Sequence, residues 1–85
     1  MFIVYVLRSL HNKQLYVGFT EDLSKRLATH NSGKVISTKA LCPWTVIFHE
    51  CYTNKPDALR REQYFKTTAG KRALKLMLRQ TLEYI

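Results

Sequence analysis

The first strand of the chain is predicted by a run in which both alternating sets of side chains are apolar. One set is Phe2, Val4 and Val6, and the other is Ile3, Tyr5 and Leu7. A strand that is apolar on both faces is typical of the centre of a sheet. A polar turn at 9–14 separates this strand, at 2–8, from a second apolar strand at 15–19. The short connection predicts an antiparallel hairpin.

The pattern after the hairpin predicts three helices and one more strand. Thr20 is a capping residue followed by two acids, so the first helix begins at 20–22; it runs to His30 and ends at 31–33. The later elements are a loop at 34–44, a strand at 45–52, a helix from 54 to about 66, a break at 67–70 and a last helix from 71 to the end. The order β-β-α-β-α-α indicates an α/β (α+β) fold.

Length and composition indicate one folded domain over residues 1–85. A chain of 85 residues is too short for two domains, and its 46 % hydrophobic content is sufficient for a globular core. No apolar stretch reaches the roughly 18 residues of a membrane span, and the N-terminus lacks the features of a signal peptide. Cys42 and Cys51 are too few for a disulfide framework, which favours free thiols in the cytoplasm.

The net charge of +8 favours a polyanionic partner. A membrane surface would require a basic amphipathic helix with aromatic residues on its apolar face, whereas Trp44 is placed in a loop beside Pro43. Nucleic acid is therefore the preferred partner. The candidate binding residues lie on the last helix and on the long loop: Lys71, Arg72, Lys75, Arg79, Lys34 and Lys39. A solvated basic face is the alternative for each of them.

Tyr5 and Tyr16 lie on the two strands of the predicted hairpin. If the connecting loop has an even number of residues, Tyr5 pairs with an even-numbered residue and shares a face with Tyr16 and Gly18. A bulge would break this parity. Tyrosines in strands are usually core or cross-strand aromatics, and that alternative stays open. Gly18 favours a functional role, because glycine inside a strand often marks the close approach of another group.

Arg26 and His30 are four residues apart and are therefore neighbours on one face of the first helix. They flank Leu27 and the apolar stripe, so they form either a solvated basic edge or a functional pair. An arginine held beside a tyrosine would stabilise the phenolate and lower the pKa of that tyrosine below about 10.

Glu62 is expected on the buried face of the second helix, because Leu59 and Phe65 lie three residues to either side of it. A carboxylate against the core is costly unless it is paired or bound to a metal. Two explanations remain. Glu62 forms a structural ion pair with Arg26 or Arg61, or it holds a hard divalent cation whose remaining positions are filled by water.

Four segments, in this order, resemble the GIY-YIG nuclease family. They are Ile3-Val4-Tyr5 for the first motif, Tyr16-Val17-Gly18 for the second, 22–34 for the helix after the hairpin, and 58–62 for the helix with the metal-binding glutamate. The resemblance covers residues 2 to about 75 and is closest to the short stand-alone members. Ile3 stands where the first motif has glycine, and the polar C-terminal residue of longer members has no clear counterpart.

The resemblance implies a small three-stranded antiparallel sheet flanked by helices, with one active site on the sheet face. Glu62 would hold one divalent cation, Mg²⁺ or Mn²⁺. Tyr16 would act as general base or orient the attacking water, and Tyr5 would position Tyr16 or the phosphate. Arg26 would offset charge in the transition state, while His30 would assist in proton handling or contact the phosphate. Phosphodiester hydrolysis needs such charge stabilisation.

The function implied is that of a metal-dependent DNA endonuclease acting on branched, nicked or damaged DNA, in repair or recombination. DNA is the expected partner, with a targeting protein as a further option and with no membrane or organic cofactor. Three alternatives stay open. The chain is a nucleic-acid-binding module of the same fold with little or no cleavage, a nuclease acting on RNA, or a structural protein in which Glu62 only pairs with an arginine.

Overall fold

The computed structural model describes residues 1–84. Its regular elements are β1 (Phe2–Ser9), β2 (Leu15–Thr20), α1 (Leu23–Asn31), a 3₁₀ turn (Lys39–Leu41), β3 (Trp44–Tyr52), α2 (Lys55–Phe65), α3 (Thr68–Met77) and α4 (Arg79–Tyr84). The three strands form one antiparallel sheet in the order β2-β1-β3. The α+β fold and the central place of the first strand are therefore confirmed. Within residues 1–84, no helix is both long enough and apolar enough to cross a bilayer.

The sheet separates two apolar clusters. Val4 and Val6 of β1 are fully buried on one face, where they belong to a cluster with Phe65 of α2 and Leu74 of α3. The apolar odd-numbered residues of β1 belong to a second cluster, on the opposite face, which includes residues of α1 and of the start of β3. Because side chains alternate along a strand, this division places Tyr5 on the face that α1 covers.

The strand register brings the hairpin residues into the expected alignment. Tyr5 lies opposite Gly18, and Leu7 lies opposite Tyr16, with no irregularity between β1 and β2. A bulge occurs only on the other side of β1, between Val6 and Leu7 in the pairing with β3. Tyr5, Gly18 and Tyr16 therefore share one face, as the parity argument predicts.

Two boundaries near the first helix and the third strand differ from the prediction. Asp22, not Thr20, caps α1, because its carboxylate accepts the backbone N–H of Lys25 at 3.1 Å. Trp44 is not in a loop; it begins β3 and is buried. The Asn31 side chain holds it there by bonding both its backbone N–H, at 2.6 Å, and its carbonyl, at 3.0 Å.

The last helical region was predicted wrongly as one helix starting at residue 71. α3 already begins at Thr68, since the Thr67 hydroxyl accepts the Gly70 N–H at 3.0 Å and caps the helix. Gly70 lies inside α3. Glycine is required there because a Cβ at this position would overlap the backbone carbonyl of Tyr64 in α2. The helix ends at Met77, and α4 follows after the buried Leu78.

Candidate active site

The Tyr5 hydroxyl is the centre of a polar cluster between β1 and α1. The Tyr5 side chain is 1 % exposed, and its oxygen lies 2.9 Å from Nε2 of His30. Nε of Arg26 donates to the same oxygen at 3.4 Å. The spacing of four residues on α1 brings Arg26 and His30 to one phenol, so the sequence argument for a neighbouring pair holds.

Tyr16 adds the second phenol from the edge strand β2. Its ring centroid lies 5.0 Å from that of His30 and 6.4 Å from that of Tyr5. The Trp44 ring, at 6.1 Å, flanks it on another side. Tyr16 and Arg26 are half-buried, whereas Tyr5 and His30 are fully buried. A bound molecule could therefore touch the first two side chains and not the last two.

Gly18 is required by the path of the Tyr5 side chain. A Cβ built on Gly18 would overlap the Tyr5 hydroxyl and the ring carbon that bears it. The phenol thus crosses directly over the backbone of β2 on its way to His30. This close approach is the reason for a glycine inside the strand, as the sequence suggested.

Burial dominates the electrostatics of the cluster. It raises the pKa of Tyr5 above its ordinary value, and the opposing hydrogen bond from Arg26 does not cancel it. The expectation that Arg26 lowers the pKa of the phenol is therefore wrong in net direction, because the desolvation of the anion is larger. Hydrogen bonding to Tyr5 raises the pKa of Arg26, so the guanidinium stays charged.

His30 is neutral in this setting. Burial, and secondarily the charge of Arg26, lower the pKa of His30 below its usual 6.5. Its second ring nitrogen, Nδ1, lies 2.8 Å from the hydroxyl of Thr38, which is itself 1 % exposed. Because both ring nitrogens have partners among the described residues and the ring is buried, His30 has no free atom for a direct contact with a phosphate.

Glu62 lies on α2, which packs through Ala58 and Phe65 against the sheet face opposite Tyr5 and contacts both β1 and β2. Its side chain is 13 % exposed, and its charge contributes to raising the pKa of Tyr5. The ion-pair partner is Lys66, at 3.1 Å, and not an arginine. Arg61 pairs instead with Glu50 of β3, at 2.9 Å.

The buried face of α2 is also not the one that was expected. Ala58 and Phe65 are fully buried, whereas Leu59 is 37 % exposed. Glu62 therefore borders the core beside Phe65 without sharing a buried stripe with Leu59.

The donor set at Glu62 fits a hard divalent cation that keeps most of its water. Mg²⁺ is commonly bound through one or two carboxylates with waters in the other positions. The carboxylate is sheltered, and the ammonium that pairs with it belongs to a side chain that is 47 % exposed and long enough to swing aside. Across residues 1–84, no three His, Cys, Asp or Glu side chains gather as a closed metal site.

A basic groove runs along the edge strand next to Tyr16. The groove has a volume of about 530 Å³, and its floor includes Phe65 and Leu74. Its polar lining consists of Lys13, Gln14, Tyr16, Lys66, Lys71 and Lys75. The lysine that pairs with Glu62 thus belongs to the same surface as the lysines of α3.

The predicted nucleic-acid-binding residues divide into those near this groove and those away from it. Lys71 and Lys75 line it, and Arg72 joins them in a shallow depression on α3. Arg79 lies beyond the helix break, where it donates to the Leu76 carbonyl at 2.6 Å. Lys34 and Lys39 are exposed on the loop before β3, the loop that also carries Thr38.

Comparison with known proteins gives the same family as the motifs. The family model of the GIY-YIG catalytic domain matches residues 1–75. The chain belongs to the GIY-YIG family. It is 45 % identical over 69 residues to a UPF0213 protein of Bacillus pumilus, covering 80 % of this chain and 69 % of the relative. A UPF0213 protein of Staphylococcus haemolyticus is 36 % identical over 75 residues, covering 87 % and 90 % of the two chains.

A solved structure is also similar to this GIY-YIG chain. The solution NMR structure of a UPF0213 protein from Bacillus halodurans matches with a TM-score of 0.56 and 27 % identity, over 91 % of this chain and 85 % of that one. The family motifs map onto the cluster described above: Tyr5 is the last residue of the first motif, and Tyr16 and Gly18 are the first and last residues of the second. Ile3, which replaces the first glycine, lies opposite Thr20 at one end of the hairpin ladder.

Sequence reasoning missed three groups in and around the GIY-YIG site. Thr38 had no signal, because its contact with His30 depends on the path of the loop. Lys13 could have been noticed as a basic residue in the hairpin turn beside Tyr16. Lys66 could have been found from its spacing, because a glutamate followed by a lysine four residues later is a favourable helical pair.

The lowered pKa of His30 predicts a loss of stability in mild acid. The unfolded chain binds a proton on this histidine near pH 6.5, but the folded chain binds it only at lower pH. The free energy of unfolding should thus be highest above about pH 6.5 and should fall as the pH drops toward the pKa of His30 in the folded chain. Urea unfolding at about pH 7.5 and about pH 5.5 measures this difference.

His30→Gln is the matched variant for that measurement, since glutamine keeps hydrogen-bonding capacity but does not titrate. The variant should show a flatter dependence over the same interval. Burial is the largest single influence on the Glu50 carboxyl and raises its pKa, but the hydrogen bonds from Arg61 and Tyr52 and the charge of Arg61 together lower it below the usual 4.5, so Glu50 titrates outside this window. A pH dependence equal to that of the wild type would refute the assignment to His30.

Proposed function

We propose that this GIY-YIG chain is an endonuclease that hydrolyses phosphodiester bonds in DNA with the help of one divalent cation. The observation that supports it best is the convergence of Tyr5, Tyr16, Arg26 and His30 on one sheet face, within electrostatic reach of Glu62. The family is typically one of nucleases, and its members generally use a divalent metal. Branched, nicked or damaged DNA is the proposed substrate.

The two half-exposed side chains have the direct roles in this proposal. A water molecule attacks phosphorus, the bond from phosphorus to one ester oxygen breaks, and the products are a phosphomonoester and a hydroxyl group. Tyr16 orients the water or takes its proton through the phenol oxygen. Arg26 donates to the phosphate oxygens and offsets the charge that builds on them. A charged guanidinium at this position needs no reorganisation during the reaction.

The two buried side chains, Tyr5 and His30, position the half-exposed ones. Tyr5 holds Arg26 through its hydroxyl, and His30 holds Tyr5, so the pair fixes the guanidinium and packs against the Tyr16 ring. The neutral imidazole can also pass a proton along this chain of hydrogen bonds. Glu62 is the residue that would hold Mg²⁺ or Mn²⁺. The ion supplies charge stabilisation for the leaving oxygen when it is bound.

The test is a cleavage panel. The purified chain is incubated with forked, nicked, four-way and linear DNA and with RNA of the same sequences, with Mg²⁺ or Mn²⁺ and with a chelator. We expect strand scission of DNA, strongest on the branched or nicked forms, and none with the chelator. Cleavage of RNA alone would replace the substrate assignment. Binding without scission of any substrate would favour the binding module.

The basic groove predicts which cations contact the nucleic-acid backbone. Lys75→Gln removes a groove lysine, and we expect weaker DNA binding together with a slope of log K against log salt that is smaller by about 0.9, the value for one phosphate contact. Arg79→Gln removes the same charge outside the groove and is the matched control. Fluorescence anisotropy at several salt concentrations measures both. A slope for Lys75→Gln equal to that of the wild type would exclude the groove as the binding path.

A further inference from the structure

The Thr38 hydroxyl is placed where it can decide which nitrogen of His30 carries the proton. The side chain is 1 % exposed, and its Oγ1 lies 2.8 Å from Nδ1 of His30, which is fully buried. Neutral histidine has two tautomers, and the partner of one nitrogen selects the role of the other. Thr38 lies outside the segments 3–5, 16–18, 22–34 and 58–62 that resemble the family motifs.

The direction of the hydrogen bonds follows from the partners of Tyr5. Arg26 can only donate, so the Tyr5 oxygen is an acceptor in that contact. Within the described part of the chain, the remaining partner of this hydroxyl is Nε2 of His30. The phenol proton therefore has an acceptor only if Nε2 is unprotonated, and the imidazole proton then resides on Nδ1. The Thr38 oxygen accepts it.

The surroundings of Thr38 support this direction. Its hydroxyl proton points toward the Val35 carbonyl, at 3.4 Å, which leaves the oxygen lone pairs for His30. Its own carbonyl accepts the Trp44 indole N–H at 2.9 Å, and its N–H bonds Val35 at 3.1 Å. The residue is thus fixed by its backbone as well as its side chain, and its β-branched side chain has few rotamers.

We propose that Thr38 is a positioning residue that holds His30 in the Nδ1–H tautomer, so that Nε2 accepts the Tyr5 proton and the Tyr5 oxygen stays available to Arg26. The hydrogen bonds then all run in one direction: Tyr5 donates to His30, and His30 donates to Thr38 in the loop. This inference about tautomer is independent of cleavage, whereas its consequence for the reaction rests on the proposed function.

The tautomer is measured directly by ¹⁵N NMR of the His30 ring at about pH 8, where the imidazole is neutral. We expect a protonated Nδ1 and an unprotonated Nε2 in the wild type. Thr38→Ser, which keeps the hydroxyl, should preserve this state, and Thr38→Val should change it to a mixture or to Nε2–H. Ser37→Ala removes an exposed hydroxyl from the same loop and is the control; it should leave the His30 tautomer unchanged.

Activity gives the second readout. If the wild type cleaves, Thr38→Val should reduce the rate about ten- to a hundred-fold, the range seen when metal-ligating histidines lose the partner that orients them, and Thr38→Ser should retain most of the wild-type rate. A wild-type Nε2–H tautomer, or a Thr38→Val spectrum identical to wild type, would overturn the inference. A wild type with the Nδ1–H tautomer but without cleavage would refute the proposed function and leave the inference standing.

Discussion

Glu62→Gln should abolish strand scission while DNA binding remains close to that of the wild type. The substitution preserves size and hydrogen bonding but removes the negative charge that would hold the cation. We expect the cleavage rate to fall by a factor of roughly 10² to 10³ or more, the scale on which loss of a charge-stabilising group acts in transition states. Single-turnover cleavage and anisotropy with the same DNA measure the two properties.

Glu50→Gln is the matched control for this prediction. Glu50 is also half-buried and also forms an ion pair with a basic residue, but it lies on β3 and its partner is Arg61. Its loss should lower stability without removing cleavage. If both variants cleave like the wild type, Glu62 has only a structural ion pair with Lys66, and the proposed metal site is wrong.

Gly18→Ala should disorganise the site although the chain remains folded. The new methyl group would occupy the space of the Tyr5 hydroxyl, so the phenol must move away from His30 and Arg26. Overpacking of this kind costs about 1–3 kcal/mol, less than the stability of most domains. We expect a lower unfolding midpoint in urea and a loss of cleavage comparable to that of a direct Tyr5 substitution.

A double-mutant cycle isolates the cause. In a Tyr5→Leu background the hydroxyl is gone and the shorter side chain leaves room, so Gly18→Ala should cost much less stability there than in the wild type. Residues in contact show such non-additivity, whereas independent sites do not. Additive effects would mean that Gly18 serves the backbone of β2 and not the path of Tyr5.

The strand pairing of the candidate site could be predicted because it depends on local pattern. The two apolar faces of residues 2–8 indicate a central strand, and the parity of the hairpin places Tyr5, Tyr16 and Gly18 on one face. The spacing of Arg26 and His30 likewise fixes their common helix face. These inferences needed only the periods of strands and helices.

The features that escaped prediction depend on tertiary contacts. Glycine usually disfavours the interior of a helix, yet at Gly70 the close packing of α3 against the Tyr64 carbonyl requires a residue without Cβ. Trp44 becomes the first residue of β3 because Asn31, distant in sequence, bonds its backbone. The raised pKa of Tyr5 has the same origin, because the depth of its burial is set by α1 and not by neighbouring residues.

Paramagnetic NMR tests most directly whether one cation site at Glu62 serves the cluster of Tyr5, Tyr16, Arg26 and His30. Mn²⁺ broadens the amide signals of residues near the bound ion. We predict that substoichiometric Mn²⁺ selectively broadens the signals of Tyr5, Tyr16 and Glu62, and that Glu62→Gln removes this effect. Broadening centred on other acidic residues, or unchanged by the substitution, would contradict the claim.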